Sequence, residues 1–270
     1  MDQVRLTFAR VVKSEWIKFR TLRSTVWTLA ITLVAMVGIV ALFSAMITSG
    51  GSGNHPGSGS NSGSNMAFSI AANMASLAVV VLGVLFITGE YSTGMIRSTL
   101  AAVPRRLPSL WAKGIVLTGS ILLVSTVAVG LSLAVMQPFL GGKGLAPDLG
   151  DPETVRIVVG VPLYLAAIAL FAFAVGALLR HSAGAIATVL GLLLVVQNLF
   201  QIPWKPFQLI SPFLPGIAGS KILMPQGEIV ALSQGAVGAV LDPWQGYAVL
   251  LIWVAVLLAA AAVLLKRRNA

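Results

Sequence analysis

The sequence contains no cysteine, which excludes disulfides, thiol chemistry and cysteine metal sites. Its two histidines, His55 and His181, stand far apart with no ligand residue beside either one. Charge is the next shortage. Only 10% of residues are charged, against about 25% in an ordinary soluble domain, while 57% are hydrophobic. The few charges cluster and leave apolar runs of roughly 18 residues and more, the length that crosses a hydrocarbon core. A large soluble helical core would instead need a polar face on most helices. The phosphate-cradling pattern GxxxxGK[ST] is also missing, and the GGKG at 141–144 is a turn between two apolar runs. Any ATP-driven movement would therefore draw on hydrolysis by another chain.

What is present predicts an all-α polytopic membrane protein with six spans, at about 25–48, 67–88, 114–139, 155–179, 183–200 and 245–265. The first run is too long for the apolar region of a signal peptide and lacks a small-residue cleavage pattern, so it is expected to be a retained span. Residues 1–24 place Val4, Phe8, Val11 and Val12, then Trp16 and Phe19, at helical spacing among lysines and arginines. That is the pattern of an amphipathic helix lying in the membrane interface. Ser49–Asn65 is rich in glycine and serine and predicts a flexible connector. Residues 201–243 carry six prolines and many apolar side chains. Within them, Pro206–Pro215 and Gly227–Val240 suit short re-entrant helices or a surface loop equally. Residues 266–270 form a basic tail.

Six spans put both termini on one side. Of the 18 basic residues, 14 fall in the segments on that side, and the other four are Lys143, Arg156, Lys205 and Lys221. The asymmetry predicts cytoplasmic termini. It also accounts for the net charge of +10 without a nucleic-acid surface.

The cytoplasmic connection 89–113 is patterned on two faces. Glu90, Gly94 and Arg97 share one helical face, and Ile96, Leu100 and Val103 make an apolar one. Pro104 and Pro108 break the pattern around Arg105 and Arg106. Glu90 closes the second span, where a carboxylate opposes the helix dipole, so it calls for a partner. Arg97, Arg105, Arg106 and a neighbouring chain are the alternatives. Gly94 leaves room for another helix or backbone to approach.

The spans themselves are almost free of ionisable groups, with Glu90 at the inner end of the second and Arg156 at the outer end of the fourth. A proton- or sodium-coupled carrier would show such groups near the midplane. An intramembrane protease would need paired aspartates, a Ser/His pair or zinc ligands. No catalytic or metal residue is expected. Ser76, Ser120, Ser125, Thr126, Ser132, Gln137, Thr188, Gln197 and Asn198 are expected to serve helix–helix hydrogen bonding and packing.

The run E90-Y91-S92-T93-G94-M95-I96-R97-S98-T99-L100, then P104-R105-R106 and W111-A112-K113-G114, resembles the signature of type-2 ATP-binding cassette (ABC-2) exporter permeases. The opening S14-E15-W16-I17-K18-F19-R20 resembles the start of small actinobacterial-type members of that group. Met95 departs from the threonine common at its position, and the Gly/Ser-rich connector argues against an external domain.

The resemblance implies a permease subunit in a bacterial plasma membrane, paired with a second permease as homodimer or heterodimer. Two cytoplasmic ATP-binding subunits would hold ATP and Mg; this chain would hold neither. It further implies that Val4–Phe19 and Tyr91–Pro108 meet the ATPase. The implied contact residues are Phe8, Val12, Trp16, Glu90, Gly94, Ile96, Arg97, Leu100, Val103, Arg105 and Arg106. Apart from the family, spans rich in Ala, Val, Leu and Gly suit an amphipathic or lipid-like cargo, and suit plain packing equally well. The alternative is a membrane scaffold or immunity-type protein that shares the fold without moving a solute. A secondary carrier or membrane enzyme fits less well, because it would need ionisable groups inside the bundle.

Overall fold

The computed structural model describes residues 7–49, 62–92, 106–143, 146–200, 204–235 and 238–267. These are 91% helical, with no strand among them. Helix α1 is Phe8–Thr21, α2 Arg23–Thr48, α3 Ser62–Ser92, α4 Arg106–Leu140 and α5 Pro152–Leu179. Helix α6 is Ser182–Leu199, and α10 is Pro243–Arg267. Between them run three short helices, α7 Lys205–Ile210, α8 Pro215–Ser220 and α9 Gln226–Gly235, with 3-10 turns at Ser211–Phe213 and Lys221–Leu223. Six helices, α2 to α6 and α10, are long and apolar enough to cross a membrane, so by length and composition the chain is a multi-pass membrane protein.

Helix α5 is the axis of the bundle. It packs on α3, α4, α6 and α10, and 78% of its apolar window is buried, against 22% for α2 and α10 and 17% for α6. The reason lies in its side chains: Ala166, Ala167, Ala169, Ala172, Ala174 and Ala177 are all buried and let neighbouring backbones come close. Where α3 crosses it, a Cβ on Gly83 would lie 2.5 Å from the Ala169 carbonyl oxygen. The lightly buried α2, α6 and α10 present long apolar flanks, the arrangement expected where lipid or a second chain completes the packing.

The ends of α5 are fixed locally. Asp151 caps its start, accepting from the backbone N–H of Glu153 (3.3 Å) and Thr154 (3.2 Å), and Pro152 occupies the first turn where its missing N–H costs nothing. At the other end Arg180 takes φ 55°, and its N–H donates to the Gly176 carbonyl at 2.9 Å. The next residue, His181, caps α6 by accepting from Gly184 N–H through Nδ1 at 3.1 Å. The two-residue turn expected there is thus a left-handed stop followed directly by an N-cap.

Two boundaries differ from the expectation. Helix α3 begins at Ser62, four residues inside the expected flexible connector, because Asn65 is buried and its Nδ2 donates to Glu153 Oε1 at 3.2 Å. Helix α4 begins at Arg106 and runs through Pro108, which was expected to break it. Pro108 lies in the first turn, where no intrahelical N–H bond is lost.

Candidate functional site

Helix α1 buries Val11, Glu15 and Phe19, spaced at i, i+4 and i+8, and packs this face on α4 and α2. Its other side leaves Phe8, Trp16 and Ile17 exposed by about half. Glu15 therefore points into the protein between two apolar neighbours. Its Oε2 meets Lys113 Nζ from α4 at 2.6 Å, and both side chains are buried, with exposures of 2% and 3%. Glu15 Oε1 also accepts from Lys18 Nζ at 3.2 Å. An exposed ion pair contributes about 0–1 kcal/mol. A buried one offsets a large desolvation cost, so its consequence is positional: it fixes where α1 sits on α4.

Behind the pair lies an aromatic column. The Lys113 ammonium is 5.1 Å from the centroid of the Phe86 ring on α3, within cation–π range. Phe86 meets Phe19 of α1 edge to face, at 5.0 Å between centroids and 87° between planes. On its far side it lies 6.4 Å from Phe173 of α5. One turn along α5 from Phe173, a Cβ on Gly176 would come within 2.8 Å of Ile87, which keeps α3 and α5 close here. The Arg180 guanidinium lies 5.3 Å from the Tyr91 ring centroid. Helices α1, α3, α4 and α5 thus converge at the end of the bundle from which the chain leaves for residues 93–105.

Of the residues expected to form a contact surface, Phe8 and Trp16 are exposed on α1, with Trp16 stacked on Phe19 at 6.4 Å. Val12 is half-buried against the core. Glu90 falls in the last turn of α3 and Arg106 opens α4, but their side chains lie outside the described residues. Gly94, Ile96, Arg97, Leu100, Val103 and Arg105 lie outside them entirely.

Sequence reasoning missed the Glu15–Lys113 pair, although both residues stand in the motifs it drew on. The available signal was an acid at the middle of the Val11–Phe19 stripe. Several hydroxyls expected to serve hydrogen bonding and packing bond within their own helices. Ser120, Ser125 and Thr188 donate to carbonyls four residues back in their own helices, and Ser120 and Ser125 are buried as packing residues. The polar bridges between elements come from other side chains. The Tyr164 hydroxyl donates to Asn73 Oδ1 (3.4 Å), the Tyr247 hydroxyl to the Leu163 carbonyl (3.3 Å) and Trp253 Nε1 to the Phe213 carbonyl (3.0 Å).

The opposite end of the bundle carries a second polar cluster. Arg156 on α5 reaches the 221–224 turn with its whole guanidinium: Nη1 donates to the carbonyls of Ile222 (2.8 Å) and Lys221 (3.4 Å), and Nη2 to that of Met224 (2.9 Å). Glu153 Oε2 accepts from Gln226 N–H at 3.0 Å, and Ser69 Oγ donates to the Leu223 carbonyl. Together these pin the α8–α9 stretch onto α3 and α5. Within it Lys221 is buried, and the burial lowers its ammonium pKa below the usual lysine value. Among the described residues no three His, Asp or Glu side chains gather as metal ligands.

No protein-family model matches the chain, and no curated protein sequence is similar to it.

Proposed function

We propose that this chain is the transmembrane permease subunit of an ATP-driven exporter of the ABC-2 type, set in a bacterial plasma membrane with both termini in the cytoplasm. ATP and Mg are bound by a separate cytoplasmic subunit present in two copies, and a second permease subunit completes the path. The cargo is amphipathic or lipid-like. The observation that carries the reading is the buried Glu15–Lys113 pair at 2.6 Å. A soluble domain seated on the exposed side of α1, through Phe8, Val12 and Trp16, would push on a helix that is locked to α4 by charge. The same helix touches α3 through the Phe19–Phe86 contact. Movement at the surface would then reach three helices at once, and bias the bundle between inward- and outward-accessible arrangements. Residues Glu90, Gly94, Ile96, Arg97, Leu100, Val103, Arg105 and Arg106 extend the docking surface on the connection between α3 and α4.

The test is purification of the tagged full chain from its native membrane with its associated proteins. Magnesium-dependent ATP hydrolysis should co-purify in stoichiometric amount and fall when Phe8 and Trp16 are both replaced by aspartate. A chain that folds and is exported to the membrane normally, yet carries no associated ATPase, favours the scaffold reading instead.

A further inference from the structure

A cavity of about 490 Å³ lies between the last turn of α6, the 3-10 turn before α8, and α9. Lys221 lines it and is 5% exposed. Its ammonium makes no hydrogen bond or ion pair among the described residues, which is rare for a lysine buried to this degree. The carboxylates that might have served it are committed or turned away. Glu153 is held by Asn65 and by Gln226 N–H, while Glu228 and Asp242 are exposed. Arg156 fixes the backbone that carries Lys221 by holding the carbonyls of Lys221, Ile222 and Met224. A positive charge is therefore kept at a cavity wall, and desolvation is the cause of its altered acidity, with no neighbouring charge set against it.

The rest of the lining is mixed. Ile217, Met224 and Leu232 give an apolar wall, and Gln197 a polar one. With its amide turned to face the Leu193 carbonyl and the Ile217 N–H, Gln197 is engaged, and Lys221 is the charged group on the lining. The cavity sits at the end of α6, and Trp204, just before α7, and Trp244, in the first turn of α10, are 58% and 55% exposed. Exposed tryptophans at the ends of spans mark the headgroup region of a bilayer. An anion with an apolar tail matches a cationic group beside an apolar wall.

We propose that this cavity binds a phospholipid of net negative charge, with its phosphate on Lys221 and the start of its acyl region on Ile217, Met224 and Leu232. The site does not depend on whether the chain is an ABC-2 permease. The experiment is native mass spectrometry of the full chain in detergent, titrated with dioleoylphosphatidylglycerol and dioleoylphosphatidylcholine. One phosphatidylglycerol per chain should be retained in preference to phosphatidylcholine. Lys221→Met should weaken that retention about tenfold, the loss of a charge-assisted contact, and Lys221→Arg should restore most of it. Ala231→Trp, at an exposed position of α9 on the cavity lining, should block the site with Lys221 intact. Inorganic phosphate at equal concentration should displace nothing. Equal retention of the two lipids, undiminished retention by Lys221→Met in a folded variant, or displacement of the lipid by phosphate alone would each overturn the proposal.

Discussion

Glu15 and Lys113, 98 positions apart, meet at 2.6 Å in a place where neither side chain reaches solvent. Removing one partner of such a pair strands the other charge and costs about 3–5 kcal/mol. Glu15→Gln and Lys113→Met should each destabilise the protein by an amount of this order. The two together should cost less than the sum, with a coupling energy of about 1–3 kcal/mol. Thermal unfolding of the four proteins in one detergent checks this; strictly additive losses would show that the pair does not act as a unit.

The crossing of α3 and α5 depends on the absence of a side chain at Gly83, since a Cβ there would meet the Ala169 carbonyl at 2.5 Å. Gly83→Ala should destabilise by about 1–3 kcal/mol through overpacking. Gly119 of α4 has nothing within 4 Å of its would-be Cβ. There the same substitution should be neutral or stabilising by up to about 1 kcal/mol, because alanine is the better helix former. Matched unfolding curves decide between them.

Arg156 holds three carbonyls of the 221–224 turn with one guanidinium. Arg156→Ala should cost about 1.5–3 kcal/mol, the range for hydrogen bonds to a charged group. Hydrogen exchange should show the loss concentrated in residues 221–226. Arg156→Lys should recover only part, because an ammonium lacks the planar fork.

Lys221 gives a pH dependence whose sign follows from burial. Its pKa in the folded protein lies below the ordinary lysine value of 10.5, so the unfolded chain binds more protons in the window just beneath 10.5. Stability contributed by this residue therefore rises with pH through that alkaline window. Lys221→Met should abolish this part of the slope and raise the midpoint of unfolding at neutral pH by roughly a few degrees, since it removes a buried charge of similar length. An unchanged slope in the variant would mean that another group titrates there.

The six long helices were legible in the sequence because uninterrupted apolar runs leave few other structures for such lengths. The short elements and exact boundaries were less so. Asn65 reads as part of a Gly/Ser connector until its bond to Glu153 is seen, and Pro108 reads as a break until it is found in the first turn of α4. Contacts across the chain leave no local period. Glu15 looked like one acid among many basic residues, and nothing near it in sequence pointed to position 113. Lys221 sits in an apolar stretch, so only the fold reveals that its ammonium meets no carboxylate among the described residues. Phe8 and Trp16 were expected on the same apolar face as Phe19, whereas α1 turns Phe19 inward and leaves the other two outside.

The central claim is that α1 transmits movement of a docked ATPase into α4 through Glu15 and Lys113. The most direct measurement is ATP hydrolysis together with transport by the co-purified complex reconstituted in liposomes, compared for Glu15→Lys, Lys113→Glu and the exchanged double variant. Each single reversal places like charges together in a buried site, and should uncouple hydrolysis from transport while the ATPase stays bound. The exchange should restore part of the lost coupling, because the two reversals are not independent. Full coupling in the folded single variants, or no recovery in a folded double variant, would contradict the account.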